Sequence, residues 1–256
     1  MSFEKKIAVA LTIVLGLFAC TYSYASEAAH PHWSYEGDHG PEHWGHISKD
    51  YAACLEGKHQ SPVDINKAVD EDLPDIAFSY KKSTLNIVNN GHTIQVNYDK
   101  GSSIKVDGMD YDLVQFHFHN PSEHTVSGKA FANEMHLVHR NAKGGLAVVG
   151  VLIEAGKEAA SYKDIWANLP GKADDKRSLP VTINADDLLP KVRTFYRYTG
   201  SLTTPPCSEN VTWLVLKAPL SMSEAQLKAF NEIFKGNNRP VQPVNDRQIK
   251  ADTATH

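Results

Sequence analysis

Between Gln115 and His119 the chain reads Gln115-Phe116-His117-Phe118-His119. Polar and aromatic residues alternate with a period of two, the period of a pleated strand rather than of a helix. Gln115, His117 and His119 therefore line one face, while Phe116 and Phe118 turn to the other, toward a core. Working outward, Asn133-Glu134-Met135-His136-Leu137-Val138-His139 repeats the pattern. Its parity groups Glu134, His136 and Val138 on one face and puts Met135, Leu137 and His139 on the greasier one. If the two strands are neighbours, three imidazoles converge.

Three neutral imidazoles around an open fourth position form the donor set of catalytic zinc, whereas structural sites are closed and often built on cysteine. The same faces carry candidate second partners. Gln115 can accept a hydrogen bond from the outer ring nitrogen of His117, and Glu134 can do so for His136, which fixes tautomer and aim. A His-x-His pair alone is more often surface or structural; the third histidine and the two partners favour metal. A rival is the cupin pattern, His117-x-His119-x3-Glu123, in which the glutamate is also a ligand. It expects glycine where Tyr111 and Ala130 stand, so two of its anchors fail.

Other short alternating or β-branched runs occupy residues 85–88, 93–98, 103–106, 111–119, 131–139, 146–154 and 211–216. Turn residues punctuate them, among them Asn89-Asn90-Gly91 and Lys143-Gly144-Gly145. They read as one domain built on a single, mostly antiparallel sheet. Helices are few. Ser221-Met222-Ser223-Glu224 looks like a capping box, after which Leu227, Phe230, Ile233 and Phe234 follow at helical spacing. A second short helix is expected over residues 162–169. Residues 26–65 and the last 20 show little periodicity and read as irregular cover.

The 256 residues are 41% apolar and 22% charged, which describes a folded chain rather than a disordered one. A net charge of -4 offers no basic field for nucleic acid. No apolar run reaches the roughly 18–20 residues of a membrane span. Lys5 and Lys6 precede a mostly apolar stretch over 7–20, and Ser23 and Ala25 fit positions −3 and −1 of a cleavage point. Residues 1–25 thus read as a signal peptide and 26–256 as the mature domain, periplasmic or secreted. Lipidation at Cys20 is the lesser alternative, because Phe18 is bulky for a lipobox. Export leaves Cys54 and Cys207 as an even pair in an oxidising compartment, with one connectivity open to them. Two separate buried thiols are the alternative. A bridge between them would be worth roughly 5 kcal/mol on the disputed chain-entropy model.

In order and spacing, nearly the whole mature chain resembles the α-class carbonic anhydrases in their exported bacterial form. The motifs are Trp33-Ser34-Tyr35, Gly40-Pro41-Glu42-His43-Trp44, Gln60-Ser61-Pro62-Val63-Asp64-Ile65, Asn89-Asn90-Gly91-His92 and Gln115–His119. They continue with Ser122-Glu123-His124-Thr125-Val126, Glu134–His139, Gly145-Leu146-Ala147-Val148, Gly200-Ser201-Leu202-Thr203-Thr204-Pro205-Pro206, Val211-Thr212-Trp213 and Asn238-Arg239-Pro240. The resemblance implies a twisted, mainly antiparallel ten-stranded sheet with a few short peripheral helices, and one Zn2+ per chain on His117, His119 and His136. It implies reversible hydration of carbon dioxide to bicarbonate and a proton, by attack of zinc-bound hydroxide.

Position by position, the resemblance makes Thr203 the gatekeeper, Glu123 the glutamate that orients it, and His92 the proton shuttle. The carbon dioxide pocket falls on Val138, Val148, Leu202, Val211 and Trp213, with Thr204 beside it. Cys54 and Cys207 match the disulfide of the exported branch. Cis peptides are implied at Ser61-Pro62 and Pro205-Pro206. Sulfonamides and anions are the implied inhibitors, and exported relatives are often dimers, so a homodimer is open.

Two departures stand out. The family's asparagine before the final Arg-Gln is Asp246 here, a residue taken to act through its backbone carbonyl. Gln95 replaces an asparagine on the polar wall near His92. His124 and His139 read as structural. His30, His32, His39, His43, His46, His59 and His256 read as surface or packing residues. The competing readings are a catalytically silent carbonic-anhydrase-like binding domain, which characteristically loses a zinc histidine, and the cupin-type metal enzyme.

Overall fold

The structure is a computed structural model that describes residues 31–253. The segment 1–25 read as a leader, Cys20, His30 and His256 lie outside the described residues. The strands are β1 (Asp64–Ile65), β2 (Val69–Glu71), β3 (Ala77–Ser79), β4 (Lys82–Asn89), β5 (Ile94–Asn97), β6 (Ser103–Val106), β7 (Met109–His119), β8 (Thr125–Val126), β9 (Lys129–Ala130) and β10 (Asn133–Arg140). They continue with β11 (Leu146–Ala155), β12 (Lys176–Asn184), β13 (Phe195–Ser201), β14 (Glu209–Met222) and β15 (Lys250–Asp252). Short helices α1 (Trp44–Ile47), α2 (Ala53–Glu56), α3 (Lys163–Trp166) and α4 (Glu224–Asn231) lie at the periphery.

One mixed sheet dominates. Ten strands follow one path, β12-β4-β5-β7-β10-β11-β14-β13-β15-β2, and β3 and β6 branch from it through β7, making twelve strands in all. The expected ten are the path, and the branch is the correction. Most pairings are antiparallel, but β11–β14 and β15–β2 run parallel. Parallel neighbours need a long crossover. The chain between β11 and β14 provides one, passing through α3, β12 and β13 before it returns.

Parity divides the apolar residues between the two faces of this sheet. Phe116, Phe118, Met135, Leu137, Val149, Val151, Leu214 and Leu216 enter the main core, which α4 covers with Leu227 and Phe230. Val148, Leu152, Val211, Trp213 and Val215 enter a second, smaller cluster on the opposite face, with Val138 and Leu202 packed against it. The face that carries the histidines is therefore the one with the smaller core.

Helix α4 starts later than expected. Strand β14 runs on to Met222, and the cap is Ser223, whose hydroxyl accepts from Gln226 N while the Gln226 side chain returns to the Ser223 backbone. The expected helix over 162–169 is a 3-10 turn at Ala160–Tyr162 followed by α3. Strand β12 is an edge strand interrupted by Pro180, with a register shift between Leu179 and Thr182. Proline is tolerated there because an edge has no partner on its outer side. Cys54 and Cys207 are joined in a disulfide. Ser61-Pro62 and Pro205-Pro206 are cis, as is Asn120-Pro121. No helix among the described residues is long and apolar enough to cross a membrane.

Candidate metal centre

Strand pairing assembles the site in rows. In one row Gln95 faces His117, His117 faces His136 and His136 faces Gly150. In the next, His119 faces Glu134. A side chain at Gly150 would crowd this arrangement, since an added Cβ would lie 3.1 Å from Glu134 Oε1. His117, His119 and His136 bring one ring nitrogen each to within 4.8 Å of one another.

The outer nitrogens are already committed. His117 Nδ1 lies 2.8 Å from Gln115 Oε1, His119 Nδ1 lies 2.7 Å from the Asn237 carbonyl and His136 Nε2 lies 2.9 Å from Glu134 Oε1. Each acceptor assigns the ring proton to its own side and leaves the other nitrogen with its lone pair inward. Among the described residues His119 Nε2 finds no hydrogen-bond partner although it is buried, an uncommon state for a polar atom. A metal ion on the three inner nitrogens resolves it, so the residues fit the group the fold implies. Burial first, and then the other histidines, hold His117 well below the usual imidazole range; burial brings His119 down to about 4 and also lowers His136. All three are thus neutral at pH 7, the ligand form.

Glu134 belongs to a second layer. Its Oε2 accepts from the Glu123 and His124 backbone amides at 2.9 and 2.8 Å, and its Oε1 also meets His124 Nδ1 at 2.7 Å. His124 Nε2 then meets Tyr198 Oη at 2.7 Å, and Tyr198 meets Ser61 Oγ at 2.9 Å. Burial alone would raise the Glu134 carboxyl, but His124 and His136 hold it well below the ordinary range. His124, Glu134 and His136 could by proximity hold a cation, yet their facing atoms already bond one another. His124 is thus structural, as read, and supports a candidate ligand through Glu134. His139 is structural too, between Tyr80 Oη and the Ala147 carbonyl, with burial taking it down to about 3.

Glu123 is fully buried beside the cluster, 3.6 Å from His119 Nδ1 and 3.8 Å from His136 Nδ1. Its Oε1 accepts from Arg239 N at 2.8 Å. Burial pushes its pKa up to about 7, against the pull of His136, the Arg239 amide and the Thr203 hydroxyl. The buried Thr203 hydroxyl thus lies near Glu123, and Glu123 Oε2 is buried with no hydrogen-bond partner among the described residues. The cupin reading, with Glu123 as a ligand, has no counterpart in the histidine triad.

The residues read as an apolar pocket lie in one cluster. Val138 faces Val148, Val148 faces Trp213, and Val211 and Leu202 join the same cluster. The Trp213 ring stands edge-on to His136 at 4.8 Å, and its Nε1 donates to Ser201 O at 2.9 Å. Thr204 sits half-buried in the turn, its carbonyl accepting from Cys207 N at 2.8 Å. The His92 ring does not touch the triad; it stacks on Trp33 with centroids 3.7 Å apart. Burial and nearby His32 lower its pKa. Gln95 donates to Asn97 Oδ1 at 2.7 Å, beside His117 in the sheet.

Asp246, read as acting through its backbone carbonyl, is exposed, and its carboxylate pairs with His59 at 3.1 Å; no hydrogen bond to its carbonyl reaches the histidine triad among the described residues. The carbonyl that does reach it belongs to Asn237, in the irregular segment between α4 and β15. The Asn237 side chain also donates to His92 O and Phe118 O, at 3.0 and 2.9 Å. Nothing periodic marks this residue, and only the unanswered outer nitrogen of His119 signals that some such acceptor is needed.

Replacing Gln115 with alanine should weaken metal binding at the triad about 10–100-fold, the usual effect of losing a ligand's outer partner. Competition with a chelator measures it, and unchanged affinity would contradict the assignment.

A model of the eukaryotic-type carbonic anhydrases matches residues 39–253. The carbonic anhydrase of Klebsiella pneumoniae is 46% identical over 221 residues, covering 85% of this chain and 90% of that protein. That of Neisseria gonorrhoeae is 46% identical over 242 residues, covering 93% and 95%. The α-carbonic anhydrase of Thermovibrio ammonificans, solved in complex with the inhibitor sulfanilamide, superposes with a TM-score of 0.84 at 46% identity, covering 86% of this chain and 99% of that one. The chain belongs to the α, or eukaryotic-type, carbonic anhydrase family. It is an enzyme of that lyase class, whose reaction is the hydration of carbon dioxide.

Proposed function

We propose that the protein interconverts carbon dioxide and bicarbonate plus a proton, using one zinc ion held by His117, His119 and His136. The carrying observation is the set of three imidazoles with occupied outer nitrogens around an inner nitrogen, His119 Nε2, that has no partner. Bound there, zinc supplies acidity, bringing a water's pKa from 15.7 to about 7; carbonic anhydrase is the worked example of that figure. The protein's residues do the rest. Thr203 accepts a hydrogen bond from the nucleophile and donates its own proton to Glu123, which aims a lone pair at the substrate. Val138, Val148, Leu202, Val211 and Trp213, with Thr204 at the edge, hold an apolar molecule beside the triad.

His92 carries the proton out. An acid of pKa about 7 releases protons to water at only about 10³ per second, since recapture runs near 10¹⁰ M⁻¹s⁻¹. Faster turnover needs an imidazole, whose pKa of about 6.5 is matched to buffer. A half-buried ring on Trp33 suits transfer between the site and solvent. His92→Ala should slow turnover severalfold at low buffer and recover with added imidazole; an unchanged rate would reject the role.

The Cys54–Cys207 disulfide and the leader read in residues 1–25 support export to the periplasm or beyond. A mature N-terminus at Ser26 would establish cleavage, and a lipidated Cys20 would replace it. For the activity itself, chelated protein should be inactive in carbon dioxide hydration and regain full rate with one equivalent of zinc. Restoration by iron but not by zinc would favour a cupin-like enzyme.

A further inference from the structure

Arg239 is only 1% exposed, and the hydrogen-bond acceptors of its guanidinium are all neutral. Nη1 donates to Gln60 Oε1 at 2.8 Å and to Ser61 O at 2.9 Å, and Nη2 donates to Cys54 O at 2.9 Å. The guanidinium lies 5.7 Å from the Trp44 ring centroid, and its Nε is buried without a partner. Burying a full charge among neutral acceptors costs stability, and an apolar side chain would fill the space at less expense. Burial lowers its pKa to about 10, against the pull of the Glu123 carboxylate. A group kept under such conditions calls for another role.

The backbone of the same residue supplies one. Arg239 N donates to Glu123 Oε1 at 2.8 Å. The peptide lies between α4 and β15, where no strand ladder or helix fixes it. We propose that Arg239 is a positioning residue. Its guanidinium, gripped by Cys54, Gln60 and Ser61, holds the peptide whose N–H fixes Glu123, and Glu123 thereby sets the direction of the Thr203 hydroxyl. This rests on the proposed roles of Glu123 and Thr203.

The neighbouring Asn237 is tied down independently. Its N–H donates to Asn120 O, its side chain bonds His92 O, Phe118 O and Asn120 N, and its carbonyl serves His119. Loss of the Arg239 side chain should therefore free the Glu123 end of the segment while the histidine end stays in place. The defect falls on Thr203 direction and spares metal binding.

A sulfonamide bound at the metal retains an N–H to give Thr203, whereas thiocyanate has no proton to give. If Glu123 no longer commits the Thr203 proton, that hydroxyl can donate to thiocyanate instead. Arg239→Met and Arg239→Lys should be prepared zinc-loaded and compared with wild type by titration with both inhibitors. Each should bind one zinc, and in Arg239→Met the ratio of sulfonamide to thiocyanate affinity should fall at least about tenfold, with kcat/KM for hydration down about 10–100-fold. Lysine, which keeps the charge but not the fork, should recover part of both. A folded, zinc-loaded Arg239→Met with the wild-type ratio would overturn the proposal. If that variant does not fold, Gln60→Ala decides: it removes one acceptor and should move the ratio severalfold in the same direction, and no movement would refute the role. A wild-type protein that binds zinc yet hydrates no carbon dioxide would refute the functional reading instead, and the inhibitor ratio would still judge Arg239.

Discussion

His119→Ala should bind no zinc at micromolar metal and lose at least about a thousandfold in carbon dioxide hydration. Without the metal a site water returns to a pKa of 15.7 from about 7, a shift of nearly nine decades, so the estimate is conservative. The fold should survive. His119 stands in the middle of a sheet whose pairings to β10 use backbone groups, and the disulfide and both apolar clusters do not involve its ring. Metal analysis and circular dichroism check both halves, and a zinc-loaded, active His119→Ala would contradict the ligand assignment.

The second large effect is expected at Val138, which lies at the partly exposed rim of the smaller apolar cluster. It faces Val148 in one neighbouring strand and Gln115 in the other. Val138→Tyr adds a ring where the substrate must sit. Displacing a reactant by about 1 Å can cost on the order of 100-fold, and exclusion costs more, so hydration should fall at least that far. None of the three histidines loses a partner, so zinc content should stay at one per chain. Hydration at the wild-type rate would remove Val138 from the pocket; loss of zinc along with activity would show that the ring disturbs the triad instead.

Strand parity made much of the site legible. A period of two in β7 and β10 fixes which side chains share a face, so His117, His119, His136, Gln115 and Glu134 could be grouped from sequence alone. The paired register of His117 with His136 bears that grouping out. The same logic separated Phe116 and Phe118 from the histidine face, and both lie in the main core. Local patterns do not encode contacts that arise from irregular chain. Asn237 and Arg239 reach the site over about 115–120 residues of sequence, through one carbonyl and one amide, backbone groups that leave no mark in a residue pattern. The role of the Asn237 carbonyl went unread for this reason.

The sheet itself shows the same division. Runs in β4, β7, β10 and β11 stood out because their apolar residues face a core. Edge strand β12 alternates exposed and half-buried residues and contains Pro180, so it carried no such signal. Strand β13 ends in Thr199-Gly200-Ser201, small and polar residues that carry no apolar alternation, although Phe195 and Tyr198 are buried. The parallel β11–β14 pairing depends on a crossover of more than fifty residues, which periodicity cannot reveal. The later start of α4 reflects competition between two serines for the cap. Ser221 stays in β14, and Ser223 wins because Gln226 completes the reciprocal bond.

The silent-binding-domain reading predicts a broken ligand set. All three histidines converge here with their outer nitrogens occupied, which gives that reading no footing in the geometry. The central claim is that this triad holds zinc with a position left open for chemistry. Stopped-flow carbon dioxide hydration by the mature, zinc-loaded protein, with and without one equivalent of an aromatic sulfonamide, tests it most directly. Fast hydration abolished at stoichiometric sulfonamide is the predicted result; a folded protein that holds one zinc and leaves the hydration rate at its uncatalysed value would contradict it.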